Sequence, residues 1–265
     1  MGLKHYIILL RPPLLILGFL ASVALLKWSN NLYDIPKSIL IILAIGFGNA
    51  AFTTLNELKD VEVDRINKPW KPLPSGKVSK KSAQITIYAS LILSVICLIL
   101  LSVYNLFYLI IGILGLIGGY VYNAVRKDLI GNLFMGLTYG SAAAMSLYPK
   151  YLPFSIAFGA FTIAFNLLVQ HQDLIAEKTA GVVTAPQQLG RDVTRYVSAT
   201  LSLISYLIYY YLWYVTGYAP LLLLQLTAIL PIFSAMYPES VVIETINRRI
   251  TRLFLILGFL WMVIS

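Results

Sequence analysis

Charge is what this sequence has least of. Only 12% of its 265 residues are charged, while 59% are hydrophobic. Soluble domains carry about 25% charged residues, so a chain this poor in charge does not cover a water-facing globule. Soluble enzyme folds, nucleic-acid modules and disordered scaffolds are excluded on that ground, and an all-α integral membrane protein is expected. Cysteine is nearly absent too: Cys97 stands alone in an apolar run, which excludes a disulfide framework and a cysteine-based metal site. The first apolar stretch begins near Ile7, contains Arg11-Pro12-Pro13 and lacks a small-residue cleavage site, so it is read as a retained first span.

What is present is a series of long apolar runs. A membrane span needs about 20 mostly apolar residues. Nine segments qualify, at 7–26, 38–58, 84–104, 106–123, 129–147, 151–170, 196–216, 219–237 and 250–265. The runs are continuous rather than alternating, which selects helices over barrel strands. Basic residues then set the orientation. If the segments alternate in side, Lys27, Lys37 and Lys150 fall on one face and all other Lys and Arg on the opposite one. By the positive-inside rule the crowded face is cytosolic, with the N-terminus inside and the C-terminus outside. All acids except Asp34 follow the cations. Polar chemistry gathered at one membrane surface, with no acid in mid-span, favours an enzyme of that interface over a carrier, which needs polar groups near the midplane.

Two acid-bearing helix ends lie on the crowded face. The second span closes on Asn56-x3-Asp60-x3-Asp64; a spacing of four keeps Asn56 and Asp60 on one face, with Asp64 drifting about 80°. The sixth closes on Gln170, Asp173 and Glu177, at i, i+3 and i+7. Two such ends suit Mg²⁺, which takes oxygen ligands from one or two carboxylates plus substrate phosphates. Each acid helix is followed by a polar loop and another span, a loose two-half organisation of about 1–125 and 126–265 within one domain.

The run from Asn56 to Asp64, continued by Arg65-Ile-Asn67-Lys68-Pro69-x-Lys71-Pro72-Leu73-Pro74-Ser75-Gly76, resembles the first signature of the UbiA superfamily of intramembrane prenyltransferases. Asp173-x3-Glu177-x3-Gly181-x2-Thr184-x-Pro186 resembles the second, and Tyr122-x4-Lys127 with Gly131-Asn132 the short connection after the fourth span. One departure stands out. The second motif normally opens with Asp, and here that position is Gln170, which offers a carbonyl oxygen but no charge. Glu177 stands where Asp is commoner.

The resemblance implies transfer of a prenyl group from a polyprenyl diphosphate to a lipid-phosphate or aromatic acceptor in the membrane, with Mg²⁺ as cofactor and no nucleic acid. It implies one Mg²⁺ on Asn56, Asp60 and Asp64, and another on Asp173 and Glu177 with Gln170 in support. Lys68, Lys71 and Lys127 are the implied diphosphate partners. Tyr122, Tyr139, Phe52 and Phe165 are candidates to line the prenyl chain. The motif wording is nearest to members that make archaeal ether lipids from geranylgeranylglyceryl phosphate. Aromatic quinone precursors are the next acceptor class, and a non-catalytic lipid-binding or carrier bundle is the competing reading.

Overall fold

The computed structural model describes residues 12–125, 128–179, 181, 183–236 and 241–265, without the side chains of 12–14, 63, 66, 67, 171–179, 234–236 and 241–248. Nine long helices occur among the described residues: α1 (Pro12–Trp28), α2 (Ile35–Lys59), α4 (Lys80–Ser102), α5 (Leu106–Val125), α6 (Leu129–Leu147), α7 (Leu152–Thr179), α9 (Arg191–Thr216), α10 (Leu221–Met236) and α11 (Val241–Ile264). Two short ones, α3 (Val61–Asn67) and α8 (Ala185–Leu189), sit in the connections after α2 and α7. No strand occurs among the described residues. Each long helix overlaps one predicted span. Four of them, α2, α4, α5 and the Leu152–Gln170 part of α7, are long and apolar enough to cross a membrane on their own composition.

The long helices pack on their chain neighbours, and α11 returns to α1, so the bundle closes as a ring. Helix α4 shows how its faces are sorted. Ile85, Tyr88, Ile92, Ile96 and Ile99, three or four residues apart, form one exposed apolar stripe. The opposite face, with Ala83, Ser90, Ser94 and Cys97, is buried. Large apolar groups outside and small or hydroxylated ones inside is the arrangement that lipid imposes, because helix contact there depends on close approach and internal hydrogen bonds. Ser94 Oγ accordingly donates to the Ala44 carbonyl of α2 at 2.8 Å. The chain is an integral membrane protein.

Helices α1 and α6 also touch across the ring. Their meeting divides the core in two. On one side Ala24, Trp28, Phe154, Tyr209 and Phe259 pack together; on the other, Leu26, Ile41, Leu98, Tyr108 and Met145 do. That end of the bundle is stitched by polar bonds as well. Ser29 Oγ donates to the Ser146 carbonyl at 2.9 Å, Asn31 Nδ2 to the Tyr148 carbonyl at 2.9 Å, and Lys27 Nζ to the Val263 carbonyl at 2.8 Å. Trp28 lies between Tyr151 and Tyr218, its ring centroid 4.2 and 5.3 Å from theirs and nearly parallel to both. The opposite end gathers the α2–α4 connection, the start of α6 and the residues after α7: Lys59 donates to the Asn123 carbonyl, and Gln188 Oε1 accepts from the Leu129 N–H at 3.0 Å. Both signatures therefore share one end.

Antiparallel α6 and α7 approach most closely through glycine. A Cβ on Gly159 would lie 2.8 Å from the Gly136 carbonyl oxygen, a backbone atom that has no room to yield, whereas a Cβ on Gly46 of α2 would meet nothing within 4 Å. Gly159→Val should therefore lower the thermal midpoint of the detergent-solubilised protein, by about 1–3 kcal/mol of overpacking. Gly46→Ala should hold or raise it by up to about 1 kcal/mol of helix propensity. Equal shifts for the two would contradict this packing.

Candidate active site

The first signature is built on two helices that meet at Asp60 without losing their bonding pattern. Asp60 ends α2 and begins α3, yet its N–H still reaches the Asn56 carbonyl at 3.0 Å; the Asp64 N–H reaches the Asp60 carbonyl at 2.8 Å and the Lys68 N–H the Asp64 carbonyl at 2.7 Å. Asn56, Asp60, Asp64 and Lys68 thus follow one another a turn at a time. The Asp60 carboxylate does not cap α3. Asn56 and Asp60 are half-buried, and Asp64 is only 5% exposed.

The drift of Asp64 has a definite consequence. It turns the carboxylate away from the Asn56 face and into register with Glu57, seven residues and almost two full turns back. Glu57 is 4% exposed, and Lys71 joins the two acids: its Nζ lies 3.0 Å from Glu57 Oε1 and 2.6 Å from Asp64 Oδ2. Lys68, exposed, reaches Asp64 Oδ1 only at 4.0 Å. Sequence reasoning passed over Glu57, although its i+7 relation to Asp64 was there to be read.

Lys71 is delivered by the proline-rich connection, which is not slack. Leu73 and Val78 are buried with Leu58, Val61 and Ala83 in a small core of their own. Turn bonds close the segment, from the Ser75 N–H to the Lys71 carbonyl at 3.0 Å and from the Val78 N–H to the Pro72 carbonyl at 3.0 Å. Gly76, at φ +73°, makes the reversal that a side chain would strain. Above this core Glu62 is taken up by Lys80 and Arg65, at 2.9 and 2.7 Å. The Lys80 hydrogen bond first, and then the Arg65 and Lys80 charges, hold the Glu62 carboxyl below its ordinary pKa. Its hold on the connection is thus present above the ordinary carboxylate pKa and lost as pH falls through the lowered value.

The second signature is carried by α7. Gln170, 2% exposed, faces Asn132 of α6, 0% exposed, in a reciprocal amide pair: Asn132 Nδ2 donates to Gln170 Oε1 at 3.3 Å and Gln170 Nε2 to Asn132 Oδ1 at 3.2 Å. Asn166, one turn earlier on α7, donates to Asn132 Oδ1 at 2.6 Å. Asp173 and Glu177 follow Gln170 on the same helix, and their side chains lie outside the described residues. Lys127 lies outside them altogether. Thr184 and Pro186, after α7, are buried.

The aromatic candidates divide. Tyr122 is half-buried in the last turn of α5 at the signature end, while Tyr139 is two turns beyond Asn132 on α6, about 10 Å along its axis by helical rise. Phe52 packs its ring onto Gly119 of α5. Phe165 carries the Arg252 guanidinium 5.9 Å from its ring centroid.

Among the described residues no three His, Cys, Asp or Glu side chains come together as a metal cluster. The donors at this end are carboxylate and carboxamide oxygens, hard ligands that suit Mg²⁺ and not a soft metal. Because Glu57 and Asp64 share Lys71, Lys71→Met should destabilise the protein by up to about 3 kcal/mol, toward the low end for a broken buried pair since Lys71 keeps some access to water. Adding Glu57→Leu should recover part of that loss. Strict additivity of the two in thermal unfolding would show that the charges are not coupled.

The model of the UbiA prenyltransferase family matches residues 14–263. The digeranylgeranylglyceryl phosphate synthase of Methanosphaera stadtmanae is 31% identical over 223 residues, 79% of this chain and 79% of that protein. The synthase of the same name from Methanococcus aeolicus is 32% identical over 168 residues, and the alignment spans 60% of this chain and 57% of that relative's length. Among solved structures, one described as giving insight into digeranylgeranylglyceryl phosphate synthase in membranes superposes with a TM-score of 0.75 at 23% identity, covering 99% of both chains. A UbiA homologue from Archaeoglobus fulgidus bound to GPP and Mg²⁺ superposes at 0.66 with 20% identity, covering 98% of this chain and 100% of that one. With a family match over nearly its whole length and a relative above 30% identity aligned over most of it, this chain belongs to the UbiA prenyltransferase family.

Proposed function

We propose that the protein transfers a geranylgeranyl group from its diphosphate to the hydroxyl of geranylgeranylglyceryl phosphate, in ether-lipid synthesis. The observation that carries the reading is the convergence of both signatures at one end of an otherwise apolar helical ring, supported by relatives named digeranylgeranylglyceryl phosphate synthase. In this reading the chain is one domain of nine spans with a loose two-half organisation, the signature end faces the cytosol, and the C-terminus lies outside. The distribution of Lys and Arg supports that orientation.

The reaction breaks the allylic C–O bond of the donor and forms a C–O bond to the acceptor oxygen, which gives up its proton. The electron pair of the broken bond leaves with the diphosphate, so negative charge grows there as the prenyl carbon becomes cationic. Asn56, Asp60 and Asp64 would hold one Mg²⁺ and Asp173 with Glu177 the other. Such a metal would supply neutralisation of the leaving diphosphate, the kind of electrostatic assistance that dominates such barriers. The chain's own groups supply the rest. Lys68 and Lys127 offer ammonium groups to the phosphate oxygens, and Lys71, anchored between Glu57 and Asp64, sets the position of the Asp64 carboxylate. Tyr122 and Tyr139 offer ring faces to the prenyl chain, where an aromatic face stabilises a neighbouring cation.

Purified protein given labelled geranylgeranyl diphosphate, Mg²⁺ and a panel of glyceryl-phosphate ether and aromatic acceptors should label the ether lipid. Transfer to an aromatic acceptor instead would move the substrate class, and the absence of both transfer and diphosphate release would exclude the enzyme. Asp60→Ala and Asp173→Ala should each lower turnover by at least about 100-fold, the scale on which one metal-site or oxyanion group acts, with membrane insertion unchanged. Ordinary activity in both would remove the metal assignment.

A further inference from the structure

The amide cluster between α6 and α7 stands apart from the acids and lysines of the first signature. Asn132 is completely buried, and every hydrogen-bonding position of its side chain is taken by protein. Its Nδ2 donates to the Asp128 carbonyl at 2.8 Å and to Gln170 Oε1 at 3.3 Å; its Oδ1 accepts from Asn166 at 2.6 Å and from Gln170 at 3.2 Å. A carboxamide has two protons to give and two lone pairs to fill, and here all four are used. Such saturation in a buried site specifies one geometry, because each lost bond leaves a buried polar atom at a cost of about 1–3 kcal/mol.

The same turn of α6 is held from two other directions. Asp128 caps it, its Oδ1 accepting from the Gly131 N–H at 2.6 Å, and Gln188 of α8 accepts from the Leu129 N–H at 3.0 Å. One turn on from Asn132, Gly136 meets Ile163 and Gly159 of α7. The register of α6 against α7 is therefore set twice, by glycine contact in the apolar part and by the amide cluster at the signature end. Gln170 is the last side chain of α7 in that register before Asp173 and Glu177, which follow about 4.5 and 10.5 Å farther along the axis by helical rise.

We infer that Asn132 and Gln170 are a positioning pair: their reciprocal amide bond fixes the carboxylate-bearing end of α7 for Mg²⁺ and diphosphate, and Gln170 is not itself a metal ligand. The inference rests on the prenyl-transfer reading above. A carboxylate at 170 has no proton to give, so it would set acceptor against acceptor at Asn132 Oδ1, whereas the amide fills both sides of the pair.

The test uses full-length protein in detergent, with the thermal midpoint followed as Mg²⁺ is titrated in the presence of geranylgeranyl thiodiphosphate, a donor analogue that resists ionisation, and turnover measured in parallel. Asn132→Gln and Gln170→Asn each change the span of the pair by one methylene and should raise the half-saturating Mg²⁺ concentration about tenfold, the lower end for a residue acting through a metal ligand. The exchanged double variant, N132Q/Q170N, keeps the total span and should return to within about twofold of the unmodified protein, the non-additivity that direct contact requires. Gln170→Asp should weaken Mg²⁺ binding and slow turnover. Tighter Mg²⁺ binding or faster turnover in Gln170→Asp would make position 170 a ligand and overturn the inference. So would single variants that lose thermal stability yet keep the same Mg²⁺ half-saturation, since the pair would then be structural only. Should neither single variant fold, the exchanged variant decides: folded with ordinary half-saturation upholds the pairing, and unfolded overturns it. An unmodified protein with no Mg²⁺-dependent shift would overturn the prenyl-transfer reading itself, a result distinct from one in which that protein responds and the variants respond equally.

Discussion

A polar group placed where neither water nor lipid will bond to it must find its partner inside the protein, and much of this structure follows from that requirement. Serines on buried helix faces bond to carbonyls of the neighbouring helix, as Ser94 does to Ala44 and Ser198 to Ala164, at 2.8 Å in both cases. Where charge is buried the partners come from successive segments of chain. Glu57, Asp64 and Lys71 belong to α2, α3 and the connection beyond, so one ion triad ties three segments into a single surface. Where the buried groups are neutral, the amides of Asn132, Asn166 and Gln170 do the same between α6 and α7. Each half of the candidate site is mounted on a polar cluster that has no apolar substitute of equal geometry.

The two mountings differ in their physics. The triad holds by charge at the edge of water, with the Lys71 side chain 19% exposed, and its strength depends on that partial access. The amide cluster holds by shape, since neutral carboxamides bind through direction and number rather than field. Carboxylates meant for a cation have to be kept apart and oriented before the cation arrives, and a neutral pair does this without adding charge that would compete for the metal.

Much of the architecture was legible in the sequence because hydropathy and helix length are the same constraint seen twice. All nine long helices overlap runs read from apolar length alone, and the tendency of Lys and Arg to share segments anticipated which connections lie at one end. The site was legible in part. The four-residue spacing of Asn56, Asp60 and Asp64 survives the helix junction at Asp60 because the backbone bonds continue through it. Side-chain partnership was harder to see. The family resemblance implies Lys71 as a diphosphate partner, whereas its union with Glu57 depends on a small core around Leu73 and Val78 that only the fold reveals. The sequence shows Gln170 only as a carbonyl oxygen in support of Mg²⁺, because its partner, Asn132, is 38 residues away. Local periodicity carries information along a helix, whereas a bond between helices is set by packing, here by Gly136 against Gly159.

The aromatic stack at the other end bears on motion. With Trp28 sandwiched between Tyr151 and Tyr218, and Lys27 tied to the last turn of α11, the first helix, the α6–α7 turn, the α9–α10 turn and the final helix are clasped at one point. A bundle clasped at one end behaves as a set of levers. A small tilt about that clasp displaces each helix in proportion to its distance from it, about 1.5 Å of arm for every residue. The acids of the first signature sit at the far tips of those levers, so the bonds at that end, from Lys71 to Glu57 and Asp64 and between Asn132 and Gln170, act with the longest arm against such a tilt.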